Sequence, residues 1–253
     1  MNTIAIVQAR MGSSRLPGKV LAEICGEPML GFLLQRLRRT AEFDKIVVAT
    51  TASDEDDVLV DWLESNGVSY FRGSEDDVLD RFWQCARIHM ADVVVRVTAD
   101  DPLKDPEIIG RALSELRAAD GIDYVSNTIR PTFPEGLDIE VFTFQALTRA
   151  HKEATLQSER EHVTPFIWKN PSQFNLRCFE MEPNLSSWRW TVDKPEDLAF
   201  IRTVMSHLGN EINTSYKDII RLILSKPELA QINSGTVRNE GYLKTLAMEK
   251  GYE

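Results

Sequence analysis

The amino-acid sequence predicts an α/β fold built on a doubly wound, mostly parallel sheet. Short runs rich in β-branched residues alternate with longer amphipathic segments from the start of the chain. This order is typical of parallel strands joined by helical crossovers. The short runs are apolar throughout, as in strands that helices cover on both faces. A chain of 253 residues can bury a large core, so we expect a single domain spanning 1–253.

Apolar runs in the first half of the chain predict five strands and the helices between them. The strands are predicted over 4–7, 45–50, 68–71, 92–97 and 123–125. One helix is predicted over 29–40, where the leucines lie on one stripe. A second begins after Ser53 and ends at 66–67, an Asn-Gly pair. A third is expected to open in the segment 72–82, with Ser74 as its cap.

A proline-rich segment, 130–185, interrupts this pattern, and we expect it to leave the sheet. The elements predicted from here on are a strand over 137–142, helices over 143–154 and 159–168, and a returning strand over 188–192. A helix is expected to start at Pro195. The remaining tail, 201–253, is predicted to form helices that cover the sheet or extend a dimer.

The composition excludes several classes of partner. The chain has 29 Lys and Arg against 39 Asp and Glu, a formal charge of -10. A protein that binds DNA or RNA needs a net basic face, so nucleic acid polymers are excluded, although a local basic pocket for a small phosphate ligand is allowed. No apolar run in the sequence approaches the roughly 20 residues of a membrane helix, and the first residues lack a signal-peptide pattern. We therefore expect a cytoplasmic protein without a membrane partner.

The loop after the first predicted strand concentrates positive charge. Arg10, Arg15 and Lys19 lie within the run 8–19, together with two glycines and a proline. Small residues let backbone N–H groups approach an anion, and the three cations can neutralise a triphosphate. The run is not a Walker A loop, because its glycines are one residue too far apart, nor is it a GxGxxG fingerprint. A flexible surface loop is the alternative, but solubility alone does not explain three cations in one such loop.

Aspartates follow two of the predicted strands. Asp100 and Asp101 precede Pro102 after a central strand, and Asp193 follows the returning strand just before Pro195. Ligands bind at the carboxyl ends of strands in such sheets, and carboxylate oxygens suit Mg²⁺, which needs few of them when phosphate is present. The alternative is that these aspartates are turn or cap residues.

The loop 9–19 resembles the signature loop of the sugar-acid cytidylyltransferases, which include the CMP-Kdo and CMP-acylneuraminate synthetases and the SpsF family of spore-coat polysaccharide proteins. The resemblance extends to the acidic pair and to the Asp-x-Pro-Glu-Asp segment that begins at Asp193. The segments 136–140 and 159–165 are closer to the SpsF branch. The resemblance implies a fold like that of the GT-A nucleotide-diphospho-sugar transferases and a homodimer. It also suggests that 130–185 serves acceptor binding or dimerisation.

The same resemblance implies roles for individual residues. Lys19, Asp100, Asp193 and Arg15 match catalytic positions, with Asp100 and Asp193 as ligands of a Mg²⁺ cofactor. The implied nucleotide-binding residues are Ala9, Arg10, Met11, Gly12, Ser13, Arg15, Lys19, Ser74, Arg81 and Thr98.

Candidates for binding the sugar acid come from the second half of the chain. They are Asn127, Asp138, Glu140, Arg160 and His162. Asp138 and Glu140 share one face of the predicted strand by its two-residue period, and they can accept hydrogen bonds from hydroxyl groups. Arg160 and His162 can hold a carboxylate. The alternative is that Arg160 lies on a solvated helix face and His162 packs at an interface.

Together these features predict a Mg²⁺-dependent cytidylyltransferase that transfers CMP from CTP to a hydroxyl of a sugar acid, releasing pyrophosphate, for polysaccharide or glycan synthesis. A GT-A-type glycosyltransferase is one alternative, although it needs no cationic triphosphate loop. A nucleotidyltransferase acting on a non-sugar acceptor is another. A nucleotide-binding regulatory subunit is the third, and the presence of Lys19, Asp100 and Asp193 argues against it.

Overall fold

The fold is built on a mixed sheet that helices cover on both faces. The computed structural model describes residues 1–251, and their strands are β1 (Thr3–Gln8), β2 (Glu23–Ile24), β3 (Glu27–Pro28), β4 (Lys45–Thr51), β5 (Tyr70–Gly73), β6 (Val93–Thr98), β7 (Tyr124–Ser126), β8 (Glu140–Thr143) and β9 (Leu176–Cys178). Within these residues β2 and β3 form a separate antiparallel pair. The other seven strands form one sheet in the order β5-β4-β1-β6-β8-β7-β9.

The helices divide between the two faces of this sheet. They are α1 (Met29–Leu37), α2 (Asp57–Ser65), α3 (Val78–Ile88), α4 (Pro106–Arg117), α5 (Phe144–Glu153), α6 (Gln157–His162), α7 (Pro165–Lys169), α8 (Pro195–His207), α9 (Tyr216–Ser225) and α10 (Glu240–Lys250), with 3-10 helices at Lys19–Leu21, Asp54–Asp56 and Pro227–Gln231. One core contains side chains of α1, α2, α4, α8 and α9, and the other contains side chains of α3, α5 and α7. The predicted α/β fold is therefore confirmed.

The central strand β1 shows why its sequence is apolar throughout. It runs parallel to both β4 and β6. Ile4 and Ile6 belong to one core, while Ala5 and Val7 belong to the other. Because both faces are buried, apolar residues are favoured at every position rather than at every second one.

The segment 130–185 does not lie wholly outside the sheet, which corrects one expectation. It supplies β8, which runs antiparallel between β6 and β7, and β9, which pairs in parallel with β7 at the edge. Pro131 and Pro134 lie in the loop before β8, and Pro165 and Pro171 lie between β8 and β9. Proline removes a backbone donor, so it breaks up the elements but does not prevent the chain from returning to the sheet.

The predicted strand over 188–192 is also wrong. The segment makes an isolated bridge between Arg189 and Glu135, and the Trp190 backbone N donates to the Glu135 backbone O at 2.6 Å. Further on, the Val192 backbone N donates to the Asp100 backbone O at 2.8 Å. The chain thus crosses the strand ends and brings the residue after Val192 beside the end of β6.

Two helix boundaries also differ from expectation. The helix predicted over 159–168 is two helices, because Val163 has a φ of 71° and Pro165 cannot continue the preceding turn. The helix after β5 begins at Val78, and its cap is Asp77 rather than Ser74, since the Asp77 side chain accepts from the Asp80 backbone N at 2.9 Å.

The C-terminal tail does more than cover the sheet. Ile219 and Ile223 of α9 lie in a core, as expected, but α10 packs against α6. Among the helices of residues 1–251, none is long and apolar enough to cross a membrane.

Candidate active site

A cavity of about 670 Å³ lies at the carboxyl ends of β1 and β6, where ligands bind in sheets of this kind. One part is lined by the loop after β1 and by the residues that follow β6. The other part is lined by residues around β8, α6 and α7 and by the start of α10. The predicted residues that line it are Ala9, Arg10, Gly12, Ser13, Arg15, Lys19, Thr98, Asp100, Asp138, Glu140, His162 and Asp193.

Lys19 stands at the centre of the first part. Its Nζ donates to Asp100 Oδ2 at 2.9 Å, to Asp193 Oδ1 at 2.8 Å and to the Val192 backbone O at 2.8 Å. Gly18, with a φ of 69°, turns the chain into the short helix that begins at Lys19. Burial alone lowers the pKa of this lysine, but the two carboxylates outweigh it and raise the pKa. Lys19 therefore carries its charge at the junction of two acidic segments.

Asp193 is the acid on which the cations converge. It accepts from Lys19, from Arg15 Nη2 at 2.9 Å and from Arg189 Nη2 at 2.8 Å. Burial opposes its charge, but Lys19 and Arg15 hold the pKa of its carboxyl well below the usual range. Its carboxylate therefore stays ionised at neutral pH although its side chain is only 18% exposed.

Arg189 is a residue of the site that the sequence did not single out. Its guanidinium donates to Glu135 Oε2 at 2.7 Å and to Asp197 Oδ1 at 3.0 Å, besides its bond to Asp193. Asp197 in turn accepts from the Asp193 backbone N at 2.9 Å. The Asp-x-Pro-Glu-Asp segment thus folds onto a buried arginine that fixes Asp193. Nothing in the sequence of that segment predicts its pairing with Arg189, because the pairing arises only in the folded chain.

The loop after β1 is anchored by a buried acid. Asp56 accepts from the Met11 backbone N at 2.6 Å and from the Thr50 hydroxyl at 2.8 Å. Burial raises the pKa of Asp56, but the hydrogen bonds that it accepts outweigh burial and lower it. The backbone N–H of Met11 is therefore directed at Asp56, and Met11 does not line the cavity, so its assignment to the nucleotide stays a prediction. Asp56 itself is a loop anchor rather than a first-turn residue of α2.

Ser74 and Arg81 also lie outside the cavity lining. Arg81 is 1% exposed and donates through Nη1 to the Ser74 backbone O at 2.6 Å. Burial and the neighbouring Arg10 lower the pKa of Arg81 to about 10. Arg10 itself is half-exposed and pairs with Glu75 at 3.4 Å. The structure thus places the 74–81 segment near the loop, and a nucleotide contact by Ser74 and Arg81 stays a prediction.

The second acid after β6 has a supporting position. Asp101 is buried and accepts from the Thr98 hydroxyl and from Lys104 Nζ, each at 2.8 Å. Burial raises the pKa of Asp101, but Lys104 outweighs burial and lowers it. Of the acidic pair, Asp100 therefore meets Lys19, whereas Asp101 holds the turn.

Two of the predicted acceptor-binding acids line the cavity in different electrostatic states. Burial raises the pKa of Asp138 to about 6, although Arg238 pairs with it. Glu140 accepts from Tyr124 Oη at 2.6 Å and is paired with Arg96. Burial opposes the charge of Glu140, but Arg96 and its hydrogen bonds lower its pKa. The carboxylate of Glu140 is therefore already bonded to protein groups, whereas that of Asp138 can change its protonation state more easily.

Asn127 and Arg160 lie outside the cavity lining, and their assignment to the acceptor stays a prediction. The buried Asn127 amide bonds the Leu137 backbone O at 2.9 Å and the Ile139 backbone N at 2.8 Å, so it fixes the loop before β8. Arg160 pairs with Asp77 and thereby ties α6 to the start of α3.

His162 lines the cavity but is a poor cation. Burial lowers its pKa to about 4, with a smaller contribution from Arg96. Its Nε2 lies 3.1 Å from Thr245 Oγ1, and its ring packs edge-on against Tyr242. At neutral pH the ring is uncharged, so it does not offer the positive charge expected for a carboxylate.

The start of α10 is the largest part of the site that the sequence did not predict. Asn239, Glu240, Gly241 and Tyr242 line the cavity. Glu240 Oε2 accepts from Arg15 Nη1 at 3.0 Å. The sequence offers no signal for this contact, since the two residues lie 225 positions apart.

Comparison with known proteins identifies the family of this chain. The sequence profile of the cytidylyltransferase family matches residues 4–227. An uncharacterized protein of Methanocaldococcus jannaschii is 39% identical over 96% of this chain and 98% of its own length. The spore coat polysaccharide biosynthesis protein SpsF of Bacillus subtilis is 32% identical over 91% of this chain and 98% of its own.

Solved structures show the same likeness. A cytidylyltransferase from Leptospira borgpetersenii superposes with a TM-score of 0.88 at 33% identity, covering 94% of this chain and 100% of that one. A CMP-2-keto-3-deoxy-manno-octonic acid synthetase solved with CTP shares the fold, with a TM-score of 0.65 at 18% identity over 82% of this chain and all of that one. The protein therefore belongs to the cytidylyltransferase family and is a CTP-dependent nucleotidyltransferase.

Proposed function

We propose that the protein transfers CMP from CTP to a hydroxyl of a sugar acid, with release of pyrophosphate, for the synthesis of a surface polysaccharide. The observation that carries the proposal is the convergence of Lys19, Asp100 and Asp193 at one end of the cavity. Support for the acceptor class comes from the relatives. One is named for spore coat polysaccharide biosynthesis, and another, a 3-deoxy-manno-octulosonate cytidylyltransferase of Trichlorobacter lovleyi, is 33% identical over 48% of each chain.

The acidic residues of the site fit a divalent cation. Asp100 and Asp193 both pair with Lys19 Nζ, at 2.9 Å and 2.8 Å, so the two carboxylates lie close enough together to share one cation. Within residues 1–251 no group of three or more acidic, His or Cys side chains is arranged to hold a metal. Mg²⁺ commonly takes one or two carboxylates and completes its shell with water and phosphate oxygens. Asp100 and Asp193 are thus its proposed ligands; when bound, Mg²⁺ neutralises phosphate charge and lowers the pKa of the acceptor hydroxyl.

The basic residues of the loop bind the triphosphate in this proposal. Arg15 and Lys19 balance the charge that grows on the departing pyrophosphate, and Arg10 adds charge at the half-exposed rim. Gly12 and Ser13 line the cavity and present a small surface to the phosphates. The acceptor hydroxyl attacks the α-phosphorus and the bond to the β-phosphate breaks. Catalysis of such a displacement comes mostly from positioning and charge neutralisation.

The second part of the cavity takes the sugar acid in this proposal. Asp138 faces it and, with a pKa raised to about 6, can accept a hydrogen bond from a sugar hydroxyl or donate one when protonated. Arg96 and Lys104 also line the cavity, where they are paired with Glu140 and Asp101. A homodimer is proposed from the family resemblance, and light scattering on the purified protein tests it.

One assay tests the proposed function. The protein is incubated with each nucleoside triphosphate, Mg²⁺ and a panel of sugar acids that includes 3-deoxy-manno-octulosonate and N-acetylneuraminate, and pyrophosphate is measured. We expect release that requires both CTP and a sugar acid and that stops when EDTA removes the metal. Release that needs a phosphorylated alcohol instead shows a non-sugar acceptor, and consumption of a preformed CMP-sugar shows a glycosyltransferase. Either result contradicts the proposal.

A further inference from the structure

We propose that Glu240 takes the place of a CTP phosphate oxygen on Arg15, so that CTP binding displaces the first turn of α10 from the cavity. The proposal rests on the role proposed above for Arg15 in binding the triphosphate, and it requires no acceptor.

The guanidinium of Arg15 is occupied at both ends. Its Nη1 donates to Glu240 Oε2 at 3.0 Å, and its Nη2 donates to Asp193 Oδ1 at 2.9 Å. These are the donors with which an arginine binds a phosphate group in a bidentate way. A triphosphate that binds end-on across both Nη atoms of Arg15 therefore competes with these two carboxylates.

Glu240 is the carboxylate more easily replaced. Asp193 is also held by Lys19 and by the buried Arg189. Glu240 has a second close partner on its own helix, since Lys244 Nζ lies 2.8 Å from Oε1 and moves with it. Its third partner is distant, because Lys194 Nζ lies 3.9 Å from Oε2. Once a phosphate has replaced Glu240 on Arg15, Glu240 still pairs with Lys244, so both side chains keep a partner of opposite charge.

Charge favours movement of Glu240 once the nucleotide is bound. Asn239, Glu240 and Tyr242 all line the cavity, so a triphosphate near Arg15 brings further negative charge close to this carboxylate. Like charges in a partly buried site repel one another strongly. The first turn of α10 must therefore shift outward or give up its present contact.

The helix that carries Glu240 buries few of its side chains, although the ring of Tyr242 packs against His162 and Trp168. Thr245 is the buried residue of α10, whereas Leu243 and Met248 are exposed. At its far end, Glu249 Oε2 accepts from the Ser158 hydroxyl at 2.9 Å. A helix that buries so little surface opens at a small cost in free energy.

Two matched variants test the exchange by calorimetric titration with CTP and Mg²⁺. Glu240→Gln keeps the shape but removes the competing charge, and we expect it to bind CTP about two- to fivefold more tightly than wild type. Glu228→Gln removes an exposed acid of the short helix Pro227–Gln231, away from Arg15 and α10, and we expect its CTP affinity to be unchanged. Equal tightening in both variants, or no tightening in Glu240→Gln, overturns the proposal.

Hydrogen exchange provides a readout that does not depend on either variant. In wild type, we expect the backbone amides of α10 to exchange faster when CTP is added, while those of α9 are unaffected. Slower or unchanged exchange in α10 on CTP binding contradicts the displacement. Because neither measurement includes a sugar acid, their failure is separate from a failure of the proposed acceptor.

Discussion

Replacing Asp193 with asparagine removes the carboxylate on which three cations converge. Lys19, Arg15 and Arg189 all lie within 2.9 Å of its oxygens. In the proposed mechanism this carboxylate also holds the cation that neutralises the phosphates. We therefore expect Asp193→Asn to lose at least about two orders of magnitude in turnover, given what such charge stabilisation contributes.

The cost to folding is expected to be smaller than the cost to catalysis. Removing one partner of a buried ion pair often costs about 3–5 kcal/mol, because the other charge is left without a partner. Here each cation keeps another acid, since Lys19 retains Asp100, Arg15 retains Glu240 and Arg189 retains Glu135. We therefore expect the free energy of unfolding to fall by about 1–3 kcal/mol.

Steady-state pyrophosphate release measures the turnover, and urea denaturation followed by circular dichroism measures the stability. Asp61→Asn on the exposed surface of α2 is the matched control, and we expect it to behave like wild type in both. If Asp193→Asn folds and turns over at a near-normal rate, Asp193 does not belong to the catalytic centre.

Three further predictions concern Asp100, His162 and Gly136. Asp100→Asn is expected to lose about two orders of magnitude in turnover while it stays folded, since Lys19 keeps Asp193; unchanged pyrophosphate release removes Asp100 from the site. The pKa of His162 is lowered from 6.5 to about 4, so the unfolded chain binds the proton first and stability falls as pH drops from 6.5 to 4. Urea titrations of wild type and His162→Gln at pH 7.5 and 4.5 are expected to show a smaller acid loss in the variant, and an equal loss contradicts the buried neutral ring. Gly136 has a φ of 105°, and an added Cβ would lie 2.6 Å from the Trp190 carbonyl carbon. We therefore expect Gly136→Ala to lower the free energy of unfolding by about 1–3 kcal/mol, as measured by thermal melts. A variant as stable as wild type refutes that close contact.

The sequence predicted the parts of the fold that depend on local pattern. The apolar runs behind β1, β4 and β6 are buried on both faces, so they differ clearly from the amphipathic helices between them. The antiparallel β8 and the edge strand β9 were harder to predict, because short runs in a proline-rich segment do not indicate their partners. The run 188–192 is apolar because Trp190 and Val192 are buried, but burial in a crossing segment resembles burial in a strand.

The candidate site was predictable where chemistry follows directly from a strand end. Lys19 and Asp100 come from such loops, and the structure brings both together with Asp193. The ion pair of Arg160 was not predicted, because a surface-like pattern on a short helix does not show that its partner is Asp77.

Long-range partners could not be read from the sequence. Arg189 pairs with acids that lie up to 54 positions away, and Glu240 reaches Arg15 from the far end of the chain. Such pairs are set by tertiary packing rather than by local spacing, so they appear only once the elements are assembled.

The mass of the product formed from CTP tests the central claim most directly. The protein is mixed with CTP, Mg²⁺ and the sugar acid that gives the fastest pyrophosphate release, and the products are separated and weighed by mass spectrometry. The account predicts a single new compound with the mass of CMP joined to the sugar acid with loss of water, and its absence in Asp193→Asn. Free CMP or CDP as the nucleotide product, with the sugar acid unchanged, would contradict it.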